Sequence, residues 1–297
     1  MDARERYCWD LTGHLVVRDV LTPDEIDEVN EALEYVKQGV REGRPGRGSQ
    51  GSDALEGTPA RWYSGENLLN LPKPHCEPFR KLLAHPQVVS RLNVMCGKGF
   101  RLDHGPQFNN ALPGSEGLTL HGQGEPHGEW VAYHHQNGKT YCGGVTVTWN
   151  LTDCPGGRGG FAAVPGSHKS KYRMPRGVRL CDDDMGTVVN PEICAGDALF
   201  FMDGAQTHGT LPWRNEWERR SILYKYASRT SCRTGVATQI SPPEVYWDEA
   251  TVADMTDEER AVMYGPCAAP RSDAPYLTVG DDGVVGLESP EAAGKST

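Results

Sequence analysis

The chain has 297 residues, with 30 Lys and Arg against 40 Asp and Glu and a formal net charge of −10, which argues against a nucleic-acid polymer as its main partner. It holds no run of about 18 apolar residues, so no membrane span is expected, and no apolar signal core follows Met1, so a cytoplasmic protein is expected. Nine scattered cysteines form no C-x-x-C pair; they argue against a zinc ribbon and read as free thiols in a reducing compartment.

The 35 glycines and 21 prolines fit a turn-rich β architecture. All-β domains of about 200–250 residues are commonly single. One domain over residues 1–280 is therefore expected, with a flexible Gly-, Ser- and charge-rich tail over 281–297. The oligomeric state is open at this level.

In chain order, residues 14–21 read as a first strand. Thr22-Pro23-Asp24-Glu25 then supplies an N-cap, a proline at the first helical position and a capping box. The helix that follows repeats Ile26, Val29, Leu33 and Val36 at helical spacing. Residues 39–60 are rich in Gly, Arg, Ser and Pro and read as a mobile loop whose Arg41, Arg44 and Arg47 could close over an anionic substrate, a solvated loop being the favoured reading. A second helix is expected over 77–95. From Phe100 onward the pattern is β, with short strands at 100–104 and 118–121. The clearest strand covers 143–153, where Val145, Thr146, Val147 and Thr148 are β-branched. A Gly-rich turn leads to Phe161-Ala162-Ala163-Val164 and to Pro165-Gly166-Ser167-His168-Lys169. Short strands punctuated by turns point to a sandwich or jelly roll. Near the C-terminus Thr256 and Glu259 form a second capping box.

The most telling stretch is 195–210. Gly196-Asp197 launches an apolar strand, Asp203-Gly204 turns it, and His208 follows. The chain returns through Arg219-Arg220-Ser221-Ile222-Leu223-Tyr224 as another strand. A histidine at a strand end beside an arginine on the next strand can pair a metal ligand with an anion-binding guanidinium. Taken alone, His208 reads as a core histidine and Arg219 as a surface ion pair. Arg220 points to the opposite face of its strand.

The run from Gly159 through Pro165-Gly166-Ser167-His168-Lys169, then Gly196-Asp197, His208 and Arg219, resembles the phytanoyl-CoA dioxygenase family over residues 13–229. That resemblance implies a mainly β fold, a double-stranded β-helix (jelly roll) with flanking α-helices. It implies an enzyme dependent on iron(II), 2-oxoglutarate and O2, which functionalises an aliphatic C–H bond of a small-molecule metabolite. His208 would be the distal iron ligand, Arg219 would pair with the far carboxylate of 2-oxoglutarate, and Trp149 would line the co-substrate pocket. His168 would be structural.

The family's first histidine normally opens a His-x-Asp or His-x-Glu pair, completing a facial triad with two histidines and one carboxylate. Two registers are open here. Pro113-Gly114 followed by Leu118-Thr119-Leu120 leads to His121-Gly122-Gln123, with no acid; His127-Gly128-Glu129 has the literal spacing. His134 and His135 lack an acidic partner at that offset and read as pocket or surface residues. With a carboxylate ligand the implied outcome is hydroxylation. Without one a chloride can take the position, and related enzymes lacking the acid chlorinate their substrates; Gln123 departs from the small residue usual there. Two further readings stand beside these: a catalytically inactive jelly-roll protein that binds a small molecule, and a cupin-like metalloprotein without 2-oxoglutarate. Arg219 argues against the latter, since only a carboxylate co-substrate needs it. The loops at 39–60 and 126–138 are expected to select the substrate, with Trp62, Tyr63 and Trp130 as candidate stacking residues.

Overall fold

The computed structural model describes residues 1–37, 41–42, 48–58, 62–63, 67–122, 131–233, 237–268 and 273–290. Arg44, Arg47, Gln123, His127, Glu129, Trp130, residues 291–297 and the side chains of Arg41, Trp62 and Tyr63 lie outside that set. The elements run α1 (Ala3–Thr12), β1 (His14–Val17), α2 (Pro23–Lys37), β2 (Arg41–Glu42), β3 (Trp62–Tyr63), α3 (Glu77–Lys81), α4 (Pro86–Met95), β4 (Arg101–Ala111), β5 (Leu118–His121), β6 (Tyr133–Gln136) and β7 (Lys139–Cys142). They continue with β8 (Gly144–Asn150), β9 (Gly160–Ala163), α5 (Arg176–Leu180), β10 (Ala198–Met202), β11 (His208–Leu211), β12 (Arg219–Ala227), α6 (Pro243–Tyr246), α7 (Glu249–Val252), α8 (Asp257–Ala261), β13 (Tyr276–Val279) and β14 (Val285–Glu288).

Two antiparallel sheets form a jelly roll. The larger has the order β1-β10-β8-β12-β4, the smaller β5-β11-β9. β8 and β10 are buried at every position, so both faces of the larger sheet are covered. Side chains alternate between those faces. Val145, Val147, Trp149, Phe200, Met202 and Ile222 join one apolar cluster with Val29 and Leu33 of α2 and Val89 and Leu92 of α4. Leu199 and Phe201 join a second cluster with Ala111, Ile193 and Trp213, between the sheets. The hydroxyls of Tyr224 and Tyr226 donate to the carbonyls of Phe79 and Leu83 at 2.7 and 3.1 Å, tying the helical layer to the sheet. Among the described residues no helix is long and apolar enough to cross a membrane. All nine cysteines are free.

Several expectations change. α1 was not legible as a helix; Asp2 and Glu5 form its capping box and Gly13 closes it. The helix expected over 77–95 is broken into α3, a tight 3-10 turn and α4. Pro86 has no N–H to continue the ladder, and it holds His85 at an extended ψ of 131°. The strand expected at 100–104 continues to Ala111, because it pairs with β12 along most of its length. Within the tail expected over 281–297, Val285–Glu288 form β14, which pairs with β13, and Leu277 of that hairpin is in the core cluster.

Candidate active site

A cavity of about 220 Å3 lies between the two sheets. β5 and β11 bring His121 and His208 together as cross-strand partners. Their ring centroids are 4.3 Å apart, and the ring of His208 packs on Phe201 at 4.6 Å. The Nδ1–H of His208 donates to the carbonyl of Gln206 at 2.8 Å, and that of His121 to the carbonyl of Thr119 at 3.1 Å. A carbonyl can only accept, so each ring carries its proton on Nδ1 and keeps the Nε2 lone pair. Orientation of this kind is what a ligating imidazole needs. Burial, then the neighbouring His121, pushes His208 down to about 3. Burial also lowers His121 from its ordinary value. Both are therefore neutral near pH 7, the form that binds a metal.

This donor pair fits a divalent iron: two neutral nitrogens on adjacent strands, facing a cavity that leaves further positions open. Among the described residues no group of three His, Cys, Asp or Glu side chains is arranged to hold a metal ion. The His127 and Glu129 register, and Gln123, lie outside the described residues. His168 is buried elsewhere, with Nε2 against the carbonyl of Asp10 at 3.1 Å. His134 and His135 line a separate surface concavity.

Arg219 also reaches the cavity. It is 5% exposed, and its Nη2 donates to Asn109 Oδ1 at 3.2 Å. Gly160 makes room for it: a Cβ there would stand 3.2 Å from Arg219 Nη1. Arg220 faces away and pairs with Glu34 of α2 and with Glu218. Period-2 alternation from Arg219 places Ser221, Leu223 and Lys225 on the cavity wall.

Trp149 is not on that wall. It is fully buried on the helix-covered face, edge-on to His85 at 5.3 Å. Its neighbours Thr148 and Asn150 line the cavity. The expectation for Trp149 was off by one residue, which in a strand is the opposite face. Sequence reasoning also passed over Asp203 and Lys225, which line the cavity and form an ion pair at 3.3 Å. The alternation starting from Phe201 and Arg219 was the signal that could have found them.

The family model for phytanoyl-CoA dioxygenase (PhyH) matches residues 9–221. No curated protein matches the chain. Among solved structures, HygX from Streptomyces hygroscopicus with nickel and 2-oxoglutarate bound aligns with a TM-score of 0.62 at 21% identity, covering 77% of this chain and 87% of HygX. The non-heme alpha-ketoglutarate-dependent carbocyclase SnoK from nogalamycin biosynthesis aligns at 0.55 and 18% identity, covering 77% and 85%. The epimerase SnoN in complex with Fe3+, alpha-ketoglutarate and nogalamycin RO aligns at 0.55 and 18%, covering 78% and 86%. At these identities the likeness is one of fold.

Proposed function

The chain belongs to the phytanoyl-CoA dioxygenase family, and from that premise we propose that it is an iron(II)- and 2-oxoglutarate-dependent enzyme acting on an aliphatic C–H bond of a small-molecule metabolite. The observation that carries the reading is the pairing of His121 with His208 across β5 and β11, with Arg219 in the same cavity. Structural neighbours bind the same co-substrate, with nickel in HygX and Fe3+ in SnoN. HygX has also been seen with hygromycin B.

In this reading His121 and His208 hold the metal through Nε2. Arg219, kept in place by Asn109, takes the far carboxylate of 2-oxoglutarate, and Ser221 and Asn150 line the same cavity. Bound there, iron(II) with 2-oxoglutarate and O2 supplies the oxidising power for C–H cleavage. The chain itself binds, orients and excludes water. Leu199, Phe161 and Phe201 are among the apolar residues of the wall, which strengthen the charge-assisted contact at Arg219.

Because His121 is the histidine opposite His208, the residue two places on is Gln123, a neutral amide. This supports chlorination as a second outcome, with chloride in the place of a carboxylate. Entry of Glu129 would give hydroxylation. The test of the shared reading is anaerobic addition of iron(II) and 2-oxoglutarate to the protein. A weak visible charge-transfer band is expected, and its absence would overturn the proposal. Screening metabolites by 2-oxoglutarate turnover then identifies the substrate.

A further inference from the structure

The ion pair of Asp203 and Lys225 lies within electrostatic reach of the histidine pair but has no role assigned to it in holding iron or 2-oxoglutarate. Asp203 follows β10 and Lys225 lies near the end of β12, and both line the cavity. Asp203 is 8% exposed, and Lys225 Nζ donates to its Oδ1 at 3.3 Å.

Strand register places this pair. Phe201 of β10 and Lys225 of β12 are both partners of Thr146 on β8, so the three form one row across the sheet. His208 packs on Phe201. Lys225 therefore stands in the row beneath the histidines. Arg219 lies six residues back on the same face, roughly 20 Å of strand at about 3.3 Å per residue. On the proposed reading, the five-carbon diacid is far shorter than that interval and occupies only the part between the Arg219 side chain and the histidines. The Lys225 end is then left for the substrate.

The charges around the pair do not cancel. Asp203 also faces Arg233 at 3.8 Å, Arg233 binds Asp103 at 2.8 Å, and Asp103 binds Arg101 at 2.7 Å. Two carboxylates thus meet three permanent cations. Both oxygens of Asp203 face cations, so an ammonium ligand would have to compete with two of them. Lys225 is the cation of the set that lines the cavity.

We propose that Lys225, held by Asp203, recognises the substrate through an anionic group that the substrate carries. This rests on the iron and 2-oxoglutarate reading, which assigns the Arg219 end to the co-substrate.

The test uses the full-length protein loaded with zinc(II) and 2-oxoglutarate, so that no turnover occurs. Four probes share one ring and differ in the head group: cyclohexanecarboxylate, cyclohexanecarboxamide, cyclohexylamine and cyclohexyl phosphate. Their binding is read by ligand-observed NMR. The carboxylate and the phosphate are expected to bind at least tenfold better than the amide and the amine. Lys225→Met should remove that preference and Lys225→Arg should restore most of it. The 2-oxoglutarate affinity, read from the iron(II) charge-transfer band, should stay within twofold in both variants. Amide or amine binding as well as the two anions overturns the inference. So does a preference that survives Lys225→Met. A tenfold loss of 2-oxoglutarate affinity in Lys225→Met would instead put the lysine in the co-substrate pocket and also overturn it. The wild-type band reports on the iron reading by itself, so failure of that reading and failure of this one are separate results.

Discussion

Gly122 packs against the carbonyl of Gln206, the same carbonyl that accepts the Nδ1–H of His208. A Cβ at Gly122 would stand 2.1 Å from that oxygen, and the residue has φ +103°, where L side chains are strained. One glycine thus joins the backbone behind His121 to the group that aims His208. Gly122→Ala is expected to displace both rings and weaken metal binding about tenfold or more, in line with losses seen when groups orienting a ligand are removed. Titration with iron(II) or cobalt(II) measures this. Unchanged affinity would show that the contact does not set the ring positions.

His208→Ala is expected to abolish stoichiometric iron binding and to end turnover, and His121→Ala to do the same. Each variant leaves one imidazole of a two-imidazole set. Circular dichroism should stay that of the folded protein. A variant that still binds iron at the wild-type affinity would remove that histidine from the site.

Arg219→Leu should raise the 2-oxoglutarate dissociation constant far more than the iron constant. Loss of one partner from a buried charge pair costs on the order of 2–5 kcal/mol, or roughly 30-fold or more in affinity. Arg220→Leu should leave 2-oxoglutarate binding alone. It breaks partly exposed pairs with Glu34 and Glu218, worth about 1 kcal/mol or less of stability. If Arg220 proves the sensitive residue in a 2-oxoglutarate titration, the assignment of faces on β12 fails.

Gln123 and Glu129 give a pair of opposite expectations. If His121 binds iron without a carboxylate beside it, turnover with chloride yields a chlorinated product, and Gln123→Asp shifts the outcome towards hydroxylation. The metal site there is more cationic and more receptive to chloride. If Glu129 binds the iron, chloride has no effect and Glu129→Ala destroys activity. Product analysis by mass spectrometry, with and without chloride, separates the two.

Acid should destabilise the metal-free protein. Burial holds His208 near 3 and His168 near 4, against an ordinary value of 6.5. Burial also lowers His14, His85 and His121. In the window between the folded and ordinary values the unfolded chain holds protons that the folded chain does not, so stability rises with pH there. Above the ordinary value neither state holds them, and these groups contribute no slope. The urea midpoint should be flat between about pH 7 and 8, below the range in which the buried thiols titrate, and fall as the pH drops below about 6.5. His208→Ala should reduce the slope. A midpoint independent of pH down to about 5 would contradict the assignment of these histidines as buried and neutral.

Much of the fold was legible because its signals are local. Thr22 with Glu25 and Thr256 with Glu259 form the expected capping contacts. The β-branched run at 145–148 is in β8, and Gly196-Asp197 does precede β10. The likeness in Pro165-Gly166-Ser167-His168 and the spacing of His208 and Arg219 named the family, whose model spans those residues. Turn chemistry, capping and alternation depend on neighbours in the chain, so a sequence carries them.

Which face of a strand meets the cavity was decided only by the tertiary structure. β8 and β10 are buried on both faces, so hydrophobicity does not distinguish the face under the helices from the face between the sheets. Trp149 could therefore be placed on the wrong side, while Thr148 and Asn150 went unnoticed. The opposition of His121 and His208 comes from pairing β5 with β11. The meeting of Asp203 and Lys225 comes from laying β10 and β12 on either side of β8. Such neighbours are set by register between strands far apart in sequence, and no local pattern encodes that register.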